Sequence, residues 1–84
     1  MTVEYEKRTE TLFDDIQGMS YDYEISFPVE LHDYEICLNF KYIDSLRDTG
    51  VTCGIYDKNG SCIAEDYDTG VQEVINRILV KLDY

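Results

Sequence analysis

An α+β fold is predicted for this 84-residue chain: a two-layer sandwich in the order helix, three or four antiparallel strands, helix, forming a single domain over residues 1–84. Three observations predict it. Apolar residues near the N-terminus fall at helical spacing, two central runs alternate strictly between apolar and polar residues, and the C-terminal segment carries a 3,4 apolar repeat. An antiparallel sheet with helices on one face and water on the other accommodates all three.

The first helix is expected from Thr2 to about Gln17. Tyr5, Leu12, Phe13 and Ile16 share one side of a 3.6-residue period. Thr2 is a candidate N-cap, Glu4 and Glu6 suit the positive end of the helix dipole, and Gly18 is a natural stop. The opposite side then carries Glu6, Glu10 and Asp14, with Asp15 at its rim and Lys7 and Arg8 near its start. In residues 21–27, Tyr21, Tyr23, Ile25 and Phe27 point one way while Asp22, Glu24 and Ser26 point the other. After a turn around Pro28 to His32 the alternation resumes, with Tyr34, Ile36, Leu38, Phe40 and Tyr42 inward and Asp33, Glu35, Cys37, Asn39 and Lys41 outward. The two runs predict an antiparallel hairpin. Residues 51–56 and 61–65 flank Asp57-Lys58-Asn59-Gly60 and predict a second hairpin, with Val51, Cys53 and Ile55 toward the core. Val71, Val74, Ile75, Ile78, Leu79 and Leu82 predict the closing helix, opened by a Thr69-x-x-Gln72 capping box.

Composition bounds the function. Hydrophobic content of 44%, with eight Tyr and three Phe, supports a folded core despite a net charge of −11. Eighteen acidic against seven basic residues disfavour direct binding to nucleic acid or to anionic membranes. The charged N-terminus MTVEYEKRTE has no apolar signal segment, and no run approaches the roughly 18 apolar residues of a membrane span. A soluble, cytoplasmic protein is expected. Cys37, Cys53 and Cys62 form an odd set with no close pair, which fits reduced thiols on small buried or half-buried side chains.

Catalytic and metal chemistry find little support. Asp57-Lys58-Asn59-Gly60-Ser61 resembles the middle of an EF-hand loop, but aligning Gly60 with the loop's glycine puts Ile55 at the first ligand position and Asp66, not Glu, at the last. Zinc would need Cys37, Cys53, Cys62 and His32 to converge without any paired spacing. The acidic pairs Asp14 with Asp15 and Glu65 with Asp66 lie in surface-like sequence, where carboxylates stay solvated. There is no glycine-rich phosphate loop. The expectation is a non-enzyme with no metal and no cofactor. Among the tyrosines, Tyr56, Tyr67 and Tyr84 lie outside the core pattern and are available to a partner.

The charge is concentrated in one window. Between Arg8 and Lys41 the chain runs 32 residues without Lys or Arg but with eight carboxylates: Glu10, Asp14, Asp15, Asp22, Glu24, Glu30, Asp33 and Glu35. On a strand, same-face neighbours lie about 6.6–6.8 Å apart, a separation comparable in scale to phosphate spacing along DNA. Asp22, Glu24, Asp33 and Glu35 are expected on the open sheet face, Glu10, Asp14 and Asp15 at the helix rim, and Glu30 in a loop. A rigid carboxylate array of this kind can occupy a Lys- and Arg-lined groove in place of a polynucleotide. The partner would be a basic nucleic-acid-binding protein such as a nuclease. The alternative is a small adaptor or oligomerisation module whose acidic surface serves only solubility; monomer and homodimer both stay open.

In length, charge and predicted helix-sheet-helix order the chain resembles small acidic phage anti-defence proteins, above all anti-CRISPR inhibitors that mimic nucleic acid. The resemblance is carried by the cation-free window TETLFDDIQGMSYDYEISFPVELHDYEICLNF. It implies inhibition of an RNA-guided nuclease by obstruction of its DNA-binding channel, in the host cytoplasm; those proteins share no motif, so it transfers no functional residue. Barstar-like and immunity-type nuclease inhibitors use the same acidic logic. The element order also resembles the double-stranded RNA-binding domain, but that family needs a basic start to its last helix, where this chain has Asp66, Asp68 and Glu73.

Overall fold

The computed structural model describes residues 2–43 and 48–84. Five strands, β1 (Tyr5–Asp14), β2 (Met19–Pro28), β3 (Glu35–Ile43), β4 (Asp48–Tyr56) and β5 (Cys62–Asp68), precede one helix, α1 (Val71–Lys81); a 3-10 turn lies at Val29–Leu31. They form one mixed sheet in the order β2-β1-β3-β4-β5, with β1 and β3 parallel and the other neighbours antiparallel. No described helix is long and apolar enough to cross a membrane.

The helix–strands–helix sandwich expected from the sequence is therefore overturned: the N-terminal segment is strand β1, and the sheet carries a single C-terminal helix. Tyr5, Thr9, Thr11 and Phe13 are residues that fit a pleated surface, and they line one face of β1. All ten residues of β1 pair with β2, which outweighs four apolar residues at helical spacing. Gly18 does not end a helix. It adopts φ 71° in the β1–β2 turn, where its N–H donates to Asp14 O at 2.7 Å.

The hairpin expected between residues 21–27 and 33–42 is replaced as well, since β2 pairs with β1. The 3-10 turn carries the chain past the start of β1 to its far side, anchored by Val29 N–H donating to Glu4 O at 2.9 Å and by buried Leu31. β1 and β3 are paired only where Leu12–Asp14 meets Leu38–Phe40. Ahead of that stretch Arg8 links the two strands. One guanidinium nitrogen donates to Tyr34 O at 3.2 Å, another pairs with Glu10 at 2.7 Å, and the guanidinium carbon lies 5.0 Å from the Phe27 ring centre.

The second hairpin is as the sequence predicts, but its turn is bulged. Only Gly60 of the Asn-Gly pair has positive φ, at 82°, while Asp57 Oδ1 accepts from Asn59 N–H and Ser61 N–H. The core lies between one sheet face and α1. Leu12, Ile25, Phe27, Leu38, Val51, Cys53 and Ile55 meet Val74, Ile75, Ile78 and Leu79. Not every residue predicted inward is covered. Tyr21, Tyr23 and Tyr42 lie on the helix side but stay exposed, Tyr23 beside the start of α1 at Val71 and Gln72; Tyr5 is exposed on the other face. Of the cysteines only Cys53 is buried, and Cys37 and Cys62 are exposed.

The closing helix forms where predicted, with a different start and a well-defined end. Gly70 is the N-cap and no side chain caps it, so the Thr69–Gln72 box is absent: Thr69 Oγ1 bonds Asp68, and Gln72 reaches across to β2. At the other end Tyr84 N–H donates to Leu79 O at 2.8 Å and Asp83 N–H to Val80 O at 3.1 Å, a Schellman arrangement with Asp83 at φ 67°.

Two outcomes follow for stability. Arg8→Ala should cost about 1–3 kcal/mol, because it strips the half-buried Glu10 of its partner and uncovers Phe27; denaturant unfolding of the single and double Arg8/Glu10 variants measures the coupling. Asp83→Gly should raise stability by about 0.5–1 kcal/mol in the same assay, since glycine occupies the left-handed position without steric cost.

Candidate protein-interaction surface

Strand registers decide which side chains share a face. In the β1–β2 pair, even residues of β1 sit opposite odd residues of β2, so Asp22 and Glu24 share a face with Lys7, Thr9 and Thr11. Thr11 Oγ1 donates to Asp22 Oδ1 at 2.9 Å across that pair. The β1–β3, β3–β4 and β4–β5 registers add Glu35, Cys37, Asn39 and Lys41, then Thr52, Gly54 and Tyr56, then Glu65 and Tyr67. This is the face turned away from α1.

The eight carboxylates of the cation-free window divide between locations. Asp22, Glu24 and Glu35 lie on the open face. Asp22 and Glu24 are about 7 Å apart along β2, and Glu35 lies two strands away on β3. Glu10 and Asp14 lie on the opposite face of β1, not on a helix rim. Glu10 is taken up by Arg8, and Asp14 is buried, its Oδ1 accepting Ile16 N–H at 2.9 Å and Gln17 N–H at 3.1 Å to hold the hairpin turn. Asp15 is exposed in that turn and Glu30 in the 3-10 turn. Asp33 sits in the loop before β3, paired with His32 at 3.0 Å and Lys58 at 3.2 Å. Glu65, which the sequence marks only as half of an acidic pair with Asp66, joins the open face. Its alternation was legible, but the β-bulge at Ile55/Tyr56 resets which residues of β5 oppose β4.

Lys7 and Lys41 share the open face, and other cations are held at the α1–β5 end. Arg77 pairs with Asp66 at 3.2 Å and Asp68 at 3.7 Å, and Lys81 with Asp66 at 3.1 Å, all between α1 and β5. Partial burial pushes the Asp66 carboxyl up, but the Tyr67 N–H, Lys81 and Arg77 outweigh it and hold it below the usual carboxylate range. Among the described residues, Asp15, Asp22, Glu24, Glu30 and Glu35 are in no ion pair.

A shallow groove of about 500 Å³ crosses the open face between β3 and β5, lined by Cys37, Asn39, Thr52, Gly54, Tyr56 and Glu65. A side chain at Gly54 would come within 3.1 Å of the Tyr56 ring, which lies across it. The Tyr56 phenol is raised, first by nearby Cys62 and then by burial. Burial, followed by Cys37, Glu10 and Cys62, pushes the Cys53 thiol up to about 12, so it stays protonated and unreactive at neutral pH. No group of three or more His, Cys, Asp or Glu among the described residues is arranged to hold a metal ion.

No protein-family model, curated protein or solved structure matches the chain.

The Asp66 cluster has a pH signature. A carboxyl depressed in the folded state adds stability that is fully present above its unfolded pKa and is lost as pH falls through the folded value. The stability gap between the natural protein and Asp66→Asn should therefore be constant above about pH 5 and narrow below about pH 4, as read by urea unfolding across that range.

Proposed function

We propose that this protein is a stoichiometric inhibitor that docks on the basic polynucleotide-binding cleft of a nuclease, as phage anti-defence proteins that mimic nucleic acid do. The observation that carries the proposal is the unbalanced charge of the open face and its neighbouring turns. The described arginines and Lys58 and Lys81 are engaged by Glu10, Asp33, Asp66 and Asp68, and the exposed carboxylates Asp15, Asp22, Glu24, Glu30 and Glu35, in no ion pair among the described residues, outnumber Lys7 and Lys41, the lysines of the open face.

The mechanism is exclusion. A sheet fixes the spacing of Asp22, Glu24 and Glu35 before any encounter, so little ordering cost is left to binding. Long-range attraction accelerates association with a cationic cleft, and carboxylates replacing phosphates there bar the nucleic acid. Two of the eight carboxylates, Glu10 and Asp14, contribute to the fold instead. The contact set is therefore Asp22, Glu24 and Glu35 on the sheet, with Asp15, Glu30 and Asp33 around it.

The test measures displacement of a labelled DNA duplex from a panel of basic nucleases, RNA-guided ones included, with the purified protein added at increasing ratios. Inhibition is expected to saturate near one equivalent and to weaken about tenfold or more between about 50 and 200 mM salt. Asp22→Lys, Glu24→Lys and Glu35→Lys combined should abolish it, with circular dichroism unchanged. Inhibition that ignores both salt and charge reversal would refute the assignment and leave an adaptor whose charge serves solubility.

A further inference from the structure

Strand β2 is an outer edge of the sheet, and the direction of its backbone groups can be worked out residue by residue. Just beyond the ladder, Val29 N–H donates to Glu4 O, which continues the β1–β2 pairing. Odd residues of β2 therefore bond to β1, and even residues point outward. Gln72 shows the same phase: its Oε1 accepts the Ser26 N–H at 3.0 Å, and its Nε2 donates to the Ser26 carbonyl at 3.4 Å. Helix α1 thus closes the edge at Ser26. The N–H and C=O groups of Ser20, Asp22 and Glu24 continue the same outward row and have no protein partner among the described residues.

The side chains of this stretch are sorted by face. Met19, Tyr21 and Tyr23 are 48%, 39% and 41% exposed on the side of α1, Tyr23 beside the helix's first turn. Asp22 and Glu24 stand on the other side. A long unpaired edge is a template for another strand, and Gln72 guards only one residue of it.

We propose that this edge takes an extended basic segment of a partner protein as a sixth strand. Lys or Arg at alternate positions would face Asp22 and Glu24, while the intervening apolar side chains would cover Met19, Tyr21 and Tyr23. Charge complementarity selects this occupant over a second copy of the chain. Antiparallel pairing of two β2 edges centred on Asp22 or on Tyr23 would set Asp22 against Asp22, or against Glu24, at about 4.5–5.5 Å, and directly opposed like charges destabilise a strand pair; a register shifted toward the hairpin turn avoids this only by shortening the paired stretch on one side. The inference rests on the proposed function only for the sign of the partner's charge.

The probe is a fluorescent nine-residue peptide of alternating lysine and valine, titrated into the full chain and followed by anisotropy and by amide hydrogen exchange. Two controls accompany it: the same composition with lysines and valines in separate blocks, and the alternating peptide N-methylated at every second amide. The alternating peptide should bind about tenfold more tightly than either control and should slow exchange at Ser20, Asp22 and Glu24. Ser20→Pro removes one outward N–H without changing net charge or the ladder to β1, and should weaken binding about tenfold. Equal binding of the N-methylated peptide, with those amides unprotected, would overturn the proposal even if Ser20→Pro failed to fold. If Asp22→Asn with Glu24→Gln abolishes binding while the amides of the natural protein stay unprotected, the edge is refuted and the charge reading stands. If protection survives in that double variant, edge pairing stands while the basic character of the partner, and the proposed function with it, falls.

Discussion

Arg8 holds the topology together. Strand β1 lies inside the sheet, yet the residues it turns toward the covered face are Glu6, Arg8, Glu10, Leu12 and Asp14, of which only Leu12 is apolar. A strand with so little to bury is a poor neighbour for an apolar layer. The guanidinium resolves this by doing three things at once: it pairs Glu10, donates to the Tyr34 carbonyl, and lies against the Phe27 ring. Its alkyl stem and planar head can cover apolar surface while its own charge stays paired with Glu10. β3 is thereby tied to β1 ahead of their three paired positions. The spacing of Glu35 from Asp22 and Glu24 on the far face follows from that tie.

What the sequence disclosed follows the range of the interactions that shape each element. Helix α1 and the β4–β5 hairpin rest on local patterns, the 3,4 apolar repeat and the Asn-Gly turn, and both lie where the pattern puts them. The alternation of residues 21–27 also survives as β2. Strand β1 is illegible because no apolar alternation marks it: its apolar and aromatic residues fall on both faces, and three of them, Tyr5, Leu12 and Phe13, coincide with a helical stripe that Ile16 of the following turn extends. Gly18 reinforced the error, since a left-handed residue closes a hairpin as readily as it ends a helix. The capping box failed for another reason. The single side-chain amide of Gln72 has an oxygen and an NH2 to satisfy, and the edge of β2 offers both a donor and an acceptor at Ser26.

The same shift explains the fate of the acidic window. Read as sequence, eight carboxylates in one run suggest one surface. Read as strands, parity divides them, because β1 and β2 pair even with odd: Glu10 and Asp14 turn toward the core side while Asp22 and Glu24 turn away. Two residues of the window thus became structural, one closing a cationic gap and one holding a turn. Glu65, outside the window, joined the open face instead.

The surviving array is inexpensive to keep. Two exposed charges about 7 Å apart in water repel by only about 0.6 kcal/mol, so Asp22 and Glu24 can stand side by side without threatening a small fold. At the α1–β5 end, by contrast, Asp66 holds both Arg77 and Lys81. Asp22 and Glu24, in no ion pair among the described residues, make the β2 edge one place where a basic partner is attracted before contact. Steering by charge and pairing by backbone then act on the same strand in sequence. The carboxylates set which partner arrives and which way it faces, and the outward N–H and C=O groups of Ser20, Asp22 and Glu24 set the register in which an extended segment of it comes to rest.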